Sequence, residues 1–132
     1  MSAPESAARF VRWLETGVDP GDLFAPDAFA DLSVPQWRLQ ADNAKTVMAL
    51  RTESHPWPGT VTVERLEPTG RGWVMEATER WTDDDGAAWY CREMFHADVD
   101  GDSITRIAIS CSGDWDEATV RRHAAAVELL RP

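Results

Sequence analysis

The stretch WVMEATERWTDDDGAAWYCREMFHADVDGDSITRIAISC, residues 73–111, decides the fold. It holds three runs rich in β-branched and aromatic residues: Trp73 to Trp81, Trp89 to Asp98 and Ile104 to Cys111. Asp83-Asp84-Asp85-Gly86 and Asp100-Gly101 separate them. Long runs broken by Asp-Gly pairs predict antiparallel strands joined by hairpins. Loop length then sets which side chains share a face, because a slip of one residue turns every side chain over. With three-residue loops, Trp81 lies opposite Trp89, Ala77 opposite Glu93 and Met75 opposite Phe95. Across the next pair Phe95 lies opposite Ile107, Glu93 opposite Ile109 and Cys91 opposite Cys111. One face then carries Trp73, Met75, Ala77, Trp81, Trp89, Cys91, Phe95, Ile107, Ile109 and Cys111, with Glu79 and Glu93 as its only charges. The other carries Glu76, Thr78, Arg80, Tyr90, Arg92 and His96, a solvated set. A two-residue loop would mix the faces, so the clean segregation favours the longer one.

Working outward, a helix begins near Asp114 or Asp116, whose acids suit a helix N-terminus, and runs through Val120, Ala124 and Val127. Upstream, Val61 to Leu66 alternates as a strand and Pro68-Thr69-Gly70 is a turn. His55-Pro56-Trp57-Pro58-Gly59 ends a helix that starts at a cap on Asp42 or Asn43 and runs to about Glu53. Ala44, Val47, Met48 and Arg51 share one face of it. Asp31 to Leu39 reads as extended, with Pro35 forcing an edge position or a bulge, and Asp22 to Phe29 as a short helix. The first helix runs from Pro4 to a cap at Gly17, burying Ala7, Phe10, Val11 and Leu14. The pattern is α+β in a single domain over residues 1–132.

Composition excludes several classes of function. With 23 acidic against 13 basic side chains the net charge is −10, which argues against nucleic acid as a partner. No run of 18 apolar residues exists, so no membrane span is expected. Met1 to Glu5 lacks a secretory leader's basic region, and two cysteines are too few for a disulfide scaffold, so a cytoplasmic protein with free thiols is expected. Phosphate-binding, zinc-protease and serine-hydrolase motifs are absent, and no metal or organic cofactor is implied. Asp98-Val99-Asp100-Gly101-Asp102 fails as a calcium loop, because its glycine comes too early and Ile109 stands where a glutamate is needed.

Three segments carry a resemblance. They are Leu23-Phe24-Ala25-Pro26-Asp27-Ala28-Phe29 leading into Pro35-Gln36-Trp37-Arg38, then Tyr90-Cys91-Arg92-Glu93-Met94-Phe95-His96 before an Asp-Gly turn, and Cys111-Ser112-Gly113-Asp114-Trp115-Asp116. Together with the element order they resemble the nuclear transport factor 2-like superfamily, which includes SnoaL-like cyclases, ketosteroid isomerases, limonene epoxide hydrolase and scytalone dehydratase. The resemblance implies a cone-shaped α+β barrel, with a curved, mostly antiparallel sheet wrapped around the N-terminal helices, a C-terminal helix and a deep pocket. It also implies acid–base chemistry on a small hydrophobic metabolite, polyketide-like, terpenoid or aromatic, by cyclisation, isomerisation, dehydration or epoxide opening. A non-catalytic ligand-binding protein or homodimeric assembly module of the same fold is the alternative. Fold does not choose among these, and no catalytic motif transfers as a block. The first helix lacks the isomerases' tyrosine, and Arg92 beside Glu93 points to the opposite face, unlike the hydrolases' Asp-Arg-Asp set.

The candidate catalytic groups are Asp31, His55, Glu79 and Glu93. Glu79 and Glu93 lie on an apolar face, where desolvation makes a carboxyl a usable acid or base; an arginine partner or a wet sheet edge is the plainer account. Asp31 starts a strand, a position that holds polar pocket residues in the family, or is a turn aspartate. His55 follows a helix and is a proton shuttle at a pocket mouth or a surface histidine. Cys91 and Cys111 are open to three readings: a disulfide, a nucleophile or small buried thiols. Seven tryptophans against one tyrosine mean either a bulky core or an aromatic cavity wall. The cavity reading assigns substrate contacts to Trp37, Trp57, Met75, Trp81, Trp89, Phe95 and Cys111.

Overall fold

The computed structural model describes residues 3–131, with side chains from residue 5; Met1 and Ser2, where a leader would begin, lie outside it. Helix α1 (Ala3–Thr16) is followed by β1 (Phe24–Val34), β2 (Trp37–Ala41), α2 (Ala44–Ser54), β3 (Gly59–Pro68), β4 (Gly72–Thr82), β5 (Ala88–Asp100), β6 (Ser103–Cys111), β7 (Trp115–Asp116) and α3 (Glu117–Ala126). The strands form one sheet in the order β2-β1-β6-β5-β4-β3, with β7 beside β5. Among the described residues only β1 and β6 pair in parallel, and β2 and β3 stay at opposite edges, so the sheet is unclosed. Helix α1 packs on β3 and β4, and α2 on β1 and β2. The curved sheet holds both helices on its inner face, the cone expected from the resemblance.

Alternation explains the core. On α1, Ala7, Phe10, Trp13 and Leu14 are buried, and the helix ends where Gly17 adopts φ 71 and donates to the Trp13 carbonyl at 2.8 Å. Phe10 meets Phe95 at 5.0 Å and Trp73 at 5.4 Å between ring centroids. Asn43 caps α2 by accepting from the Thr46 amide at 3.0 Å.

Three local expectations are corrected. Residues 24–29 are strand, not helix. Gly21 and Asp22 both have positive φ (83 and 55), which no helix start tolerates, and the Leu23 carbonyl accepts from Ile104 at 2.8 Å. Between Phe24↔Ile104 and Phe29↔Arg106 the pairing is bulged around Pro26, which has no amide to give, and the broken alternation imitates a helix. Residues 31–39 are not one extended segment. Val34 pairs with Trp37 across a two-residue turn in which Gln36 has φ 61.

The third correction concerns register. Trp81↔Trp89, Ala77↔Glu93 and Met75↔Phe95 pair as expected across the first hairpin. Beyond it, Phe95 pairs with Ile109, Glu93 with Cys111 and Ala97 with Ile107, a shift of two residues from the expected pairs. The second turn has two residues, Asp100 pairing with Ser103, which alone would turn β6 over. The pairing then skips from Val99↔Ile104 to Asp98↔Arg106, leaving Thr105 unpaired. That bulge restores the parity, so Ile107, Ile109 and Cys111 still point inward.

Candidate active site

A cavity of about 170 Å³ lies inside the cone. Phe10, Trp13 and Leu14 of α1, Val47, Leu50 and Arg51 of α2, and Phe24, Ala30 and Leu32 of β1 wall one side. Glu79 of β4, Cys91, Glu93 and Phe95 of β5, and Ile107, Ile109 and Cys111 of β6 wall the other. His55 and Asp114 also line it. Period-two alternation aims Cys91, Glu93 and Phe95 inward from one strand, and Glu79, opposite Cys91, lies diagonal to Glu93.

Arg51 organises the charges. It falls on the Val47 face of α2, one turn on, so its side chain enters the cone. Its guanidinium forks Glu79, Nη1 to Oε2 at 2.8 Å and Nη2 to Oε1 at 2.6 Å. Nη2 also donates to the Leu14 carbonyl at 2.7 Å, tying α1, α2 and β4 together. Glu79 is 4% and Glu93 6% exposed. Burial pulls the Glu79 carboxyl upward, but the Arg51 fork and a hydrogen bond from Glu93 outweigh it and hold Glu79 below the usual carboxylate range. Burial first, then the hydrogen bond and charge of Glu79, push Glu93 well above that range. Two adjacent buried carboxyls do not both ionise, and Arg51 decides that Glu79 is the anion and Glu93 the acid.

The surroundings follow the same logic. The Cys91 thiol lies 3.4 Å from Glu93 Oε1, and the hydrogen bond with Cys111, burial and Glu93 push it upward. Both cysteines are free, and Cys111 faces Glu93 across the strands in place of Cys91. His55 caps α2, with its amide on the Arg51 carbonyl at 2.8 Å and its ring 4.2 Å from that of Trp81. Burial and the Arg51 charge lower it to about 4, so it is neutral at pH 7. Burial raises Asp114.

Of the residues expected at the site, His55, Glu79, Glu93, Phe95 and Cys111 meet around this cavity. Asp31 does not. Its neighbour Ala30 faces inward, so Asp31 points out, where Arg38 Nε donates to it at 2.8 Å. Trp37 is 68% exposed on β2. Trp57 donates to Asp84 at 3.1 Å and Trp89 to Asp83 at 3.0 Å, both around the first hairpin and off the cavity. Trp81 packs on His55 without lining the cavity, and Met75 is sealed in the core. Among the described residues, Trp13 is the tryptophan in the cavity wall. Aromatic surface collects instead in an outer cleft of about 1130 Å³ between the sheet and α3, lined by Trp89, Tyr90, Trp115 and His123. Sequence reasoning missed Trp13, Arg51 and Asp114 as site residues. For Arg51 the signal was present: a cation on the apolar face of α2.

No protein-family model matches the chain, and no curated protein does. Solved structures match its fold. A nuclear transport factor 2-like protein from Burkholderia xenovorans aligns with TM-score 0.63 and 17% identity, over 98% of this chain and 95% of that one. IdmH, a candidate polyketide cyclase from Streptomyces antibioticus, gives 0.68 and 16%, over 95% and 99%. An LEH-like epoxide hydrolase from M. tuberculosis gives 0.61 and 14%, over 83% and 82%.

Proposed function

We propose that this chain, which has the nuclear transport factor 2-like fold, is a small acid–base enzyme acting on a compact apolar metabolite inside its cone. One observation carries the reading: Arg51 forks Glu79, and Glu93, buried diagonally across from Glu79 on the neighbouring strand, completes an acid pair on the wall of a largely apolar cavity. Glu93 is the proton donor to an oxygen of the substrate: the neighbouring Glu79 anion keeps it protonated until it donates, and the Arg51 cation steadies the carboxylate that the transfer leaves behind. A buried acid of this kind serves epoxide opening, dehydration, isomerisation or cyclisation. Solved neighbours described as an epoxide hydrolase, a candidate cyclase and a ketosteroid isomerase-like fold support that range.

Cavity size narrows the substrate. About 170 Å³ is below the 300–1,000 Å³ of sites for drug-sized ligands and close to the 150 Å³ that holds benzene. A single-ring terpenoid or aromatic compound fits; a fused polyketide does not. The test is turnover of monocyclic epoxides, enones and tertiary alcohols followed by gas chromatography. Glu93→Gln should lose at least about 10²-fold in rate while still binding the compound. Full activity in both Glu93→Gln and Glu79→Gln would end this assignment.

A second reading, two-fold assembly through the outer sheet face, draws on α3, which has no buried residue, and on Met94, 48% exposed. Sedimentation equilibrium of the wild type and of Met94→Glu tests it, since a charge there should dissociate such a dimer.

A further inference from the structure

The acid–base reading leaves the two thiols unused. Cys91 and Glu93 sit two residues apart on one face of β5, and Cys111 stands opposite Glu93 on β6. Their donor atoms, two sulfurs and one carboxylate oxygen, all lie within 4.8 Å of one another, with Cys91 Sγ 3.4 Å from Glu93 Oε1. Around zinc, with Zn–S near 2.3 Å and Zn–O near 2.1 Å, neighbouring tetrahedral donors stand about 3.6 Å apart. Cys91 and Glu93 are therefore already spaced as two corners of such a site. We propose that Cys91, Glu93 and Cys111 form a binding site for one thiophilic divalent cation of the zinc class, with its fourth position open to the cavity.

Three features support this assignment. The donor set is soft, two sulfurs with one oxygen, which suits zinc and cadmium and not magnesium or calcium. Cys91 and Glu93 are 2% and 6% exposed and all three residues lie on paired strands, so the site needs no ordering of a loop. Arg51, forked onto Glu79 beside the site, places a cation where the thiolates would add negative charge. Binding is a substitution without redox change: the cation enters as two thiol protons and the Glu93 carboxyl proton leave. Occupancy and proton donation by Glu93 exclude one another, so the cation is an inhibitor of the acid–base reaction.

The test titrates the reduced full-length chain with cobalt(II) chloride and then zinc chloride. The expected result is one equivalent bound, a sulfur-to-cobalt charge-transfer band in the near ultraviolet, strong tetrahedral bands in the visible, and displacement by zinc. Cys111→Ser should weaken binding by more than about 100-fold, since even outer-shell losses cost 10–100-fold. Glu93→Gln should weaken binding yet keep the sulfur band, which covers the case in which a cysteine variant does not fold. Absence of the band at one equivalent, an octahedral spectrum, or a band unchanged in Cys111→Ser overturns the proposal. Because the readout is the sulfur–metal band, its failure leaves the Glu93 turnover test standing, and the reverse holds.

Discussion

Arg51 is the residue on which the interior depends. Its guanidinium side chain is 13% and the Glu79 carboxylate 5% exposed, so this is a buried pair joined by two hydrogen bonds. Removing one partner strands a charge in an apolar interior, whereas removing both does not. Arg51→Met should therefore lower unfolding free energy by about 3–5 kcal/mol, and adding Glu79→Leu should recover most of that loss in urea denaturation. Lysine cannot replace the fork, so Arg51→Lys should remain well below the wild type. His55 provides a pH test. Its folded value of about 4 lies under the ordinary 6.5, so between these values the unfolded chain binds more protons. Stability from His55 is complete above about pH 6.5 and is lost as pH falls toward 4. From pH 7 to pH 5 the melting temperature of the wild type should fall relative to that of His55→Phe, which lacks this titrating group. The inward aim of Glu79 and Glu93 was legible, because period two with an apolar face requires no long-range knowledge. The Arg51 bridge spans 28 residues between a helix and a strand, and no local pattern encodes it. Asp31 misled for a related reason: the bulge around Pro26 hides the parity of β1 that turns Asp31 outward.

At the scale of elements, β3 to β6 were readable and so was the register of the first hairpin, whereas β1, β2 and the register of the second hairpin were not. The Asp83–Gly86 hairpin matched expectation because its chemistry is local. Asp83 Oδ1 accepts from the Asp85 and Ala87 amides at 2.9 and 3.0 Å, Gly86 donates to the Asp83 carbonyl at 3.0 Å, and Gly86 has φ 79. The next hairpin depends on Thr105, an unremarkable residue in sequence, whose bulge compensates for a two-residue turn. Deleting Thr105 should drive Ile107 and Ile109 outward and abolish cooperative unfolding, read by near-ultraviolet circular dichroism, while Thr105→Val should be tolerated. The close approach of β4 to β5 offers a sharper check. A Cβ on Gly72 would lie 2.1 Å from the Ala97 carbonyl oxygen, which is backbone on a paired strand. Gly72→Ala should cost more than about 2 kcal/mol, whereas Gly70→Ala, where a Cβ meets nothing within 4 Å, should change little.

For the whole molecule, the seven tryptophans divide into separate tasks. Trp73 is sealed in the core with its indole nitrogen 3.4 Å from Ser6 Oγ, Trp57 and Trp89 brace the hairpin end through Asp84 and Asp83, and Trp115 joins Tyr90 and His123 on the outer face. Composition showed the surplus of indole but not its partition, which depends on a sheet with two faces and two ends. The cone keeps a single tryptophan, Trp13, against its cavity among the described residues. Occupancy should then be reported by one ring. A single-ring apolar ligand should change intrinsic fluorescence in the wild type and in Trp37→Phe and Trp89→Phe, and the change should disappear in Trp13→Phe. A three-ring compound should leave the Trp13 signal untouched, because about 170 Å³ does not admit it. If such a compound instead produced a signal that survived Trp13→Phe and vanished in Trp115→Phe, the ligand would be in the outer cleft, and the acid pair of Glu79 and Glu93 would lie on the wrong side of the sheet to act on it.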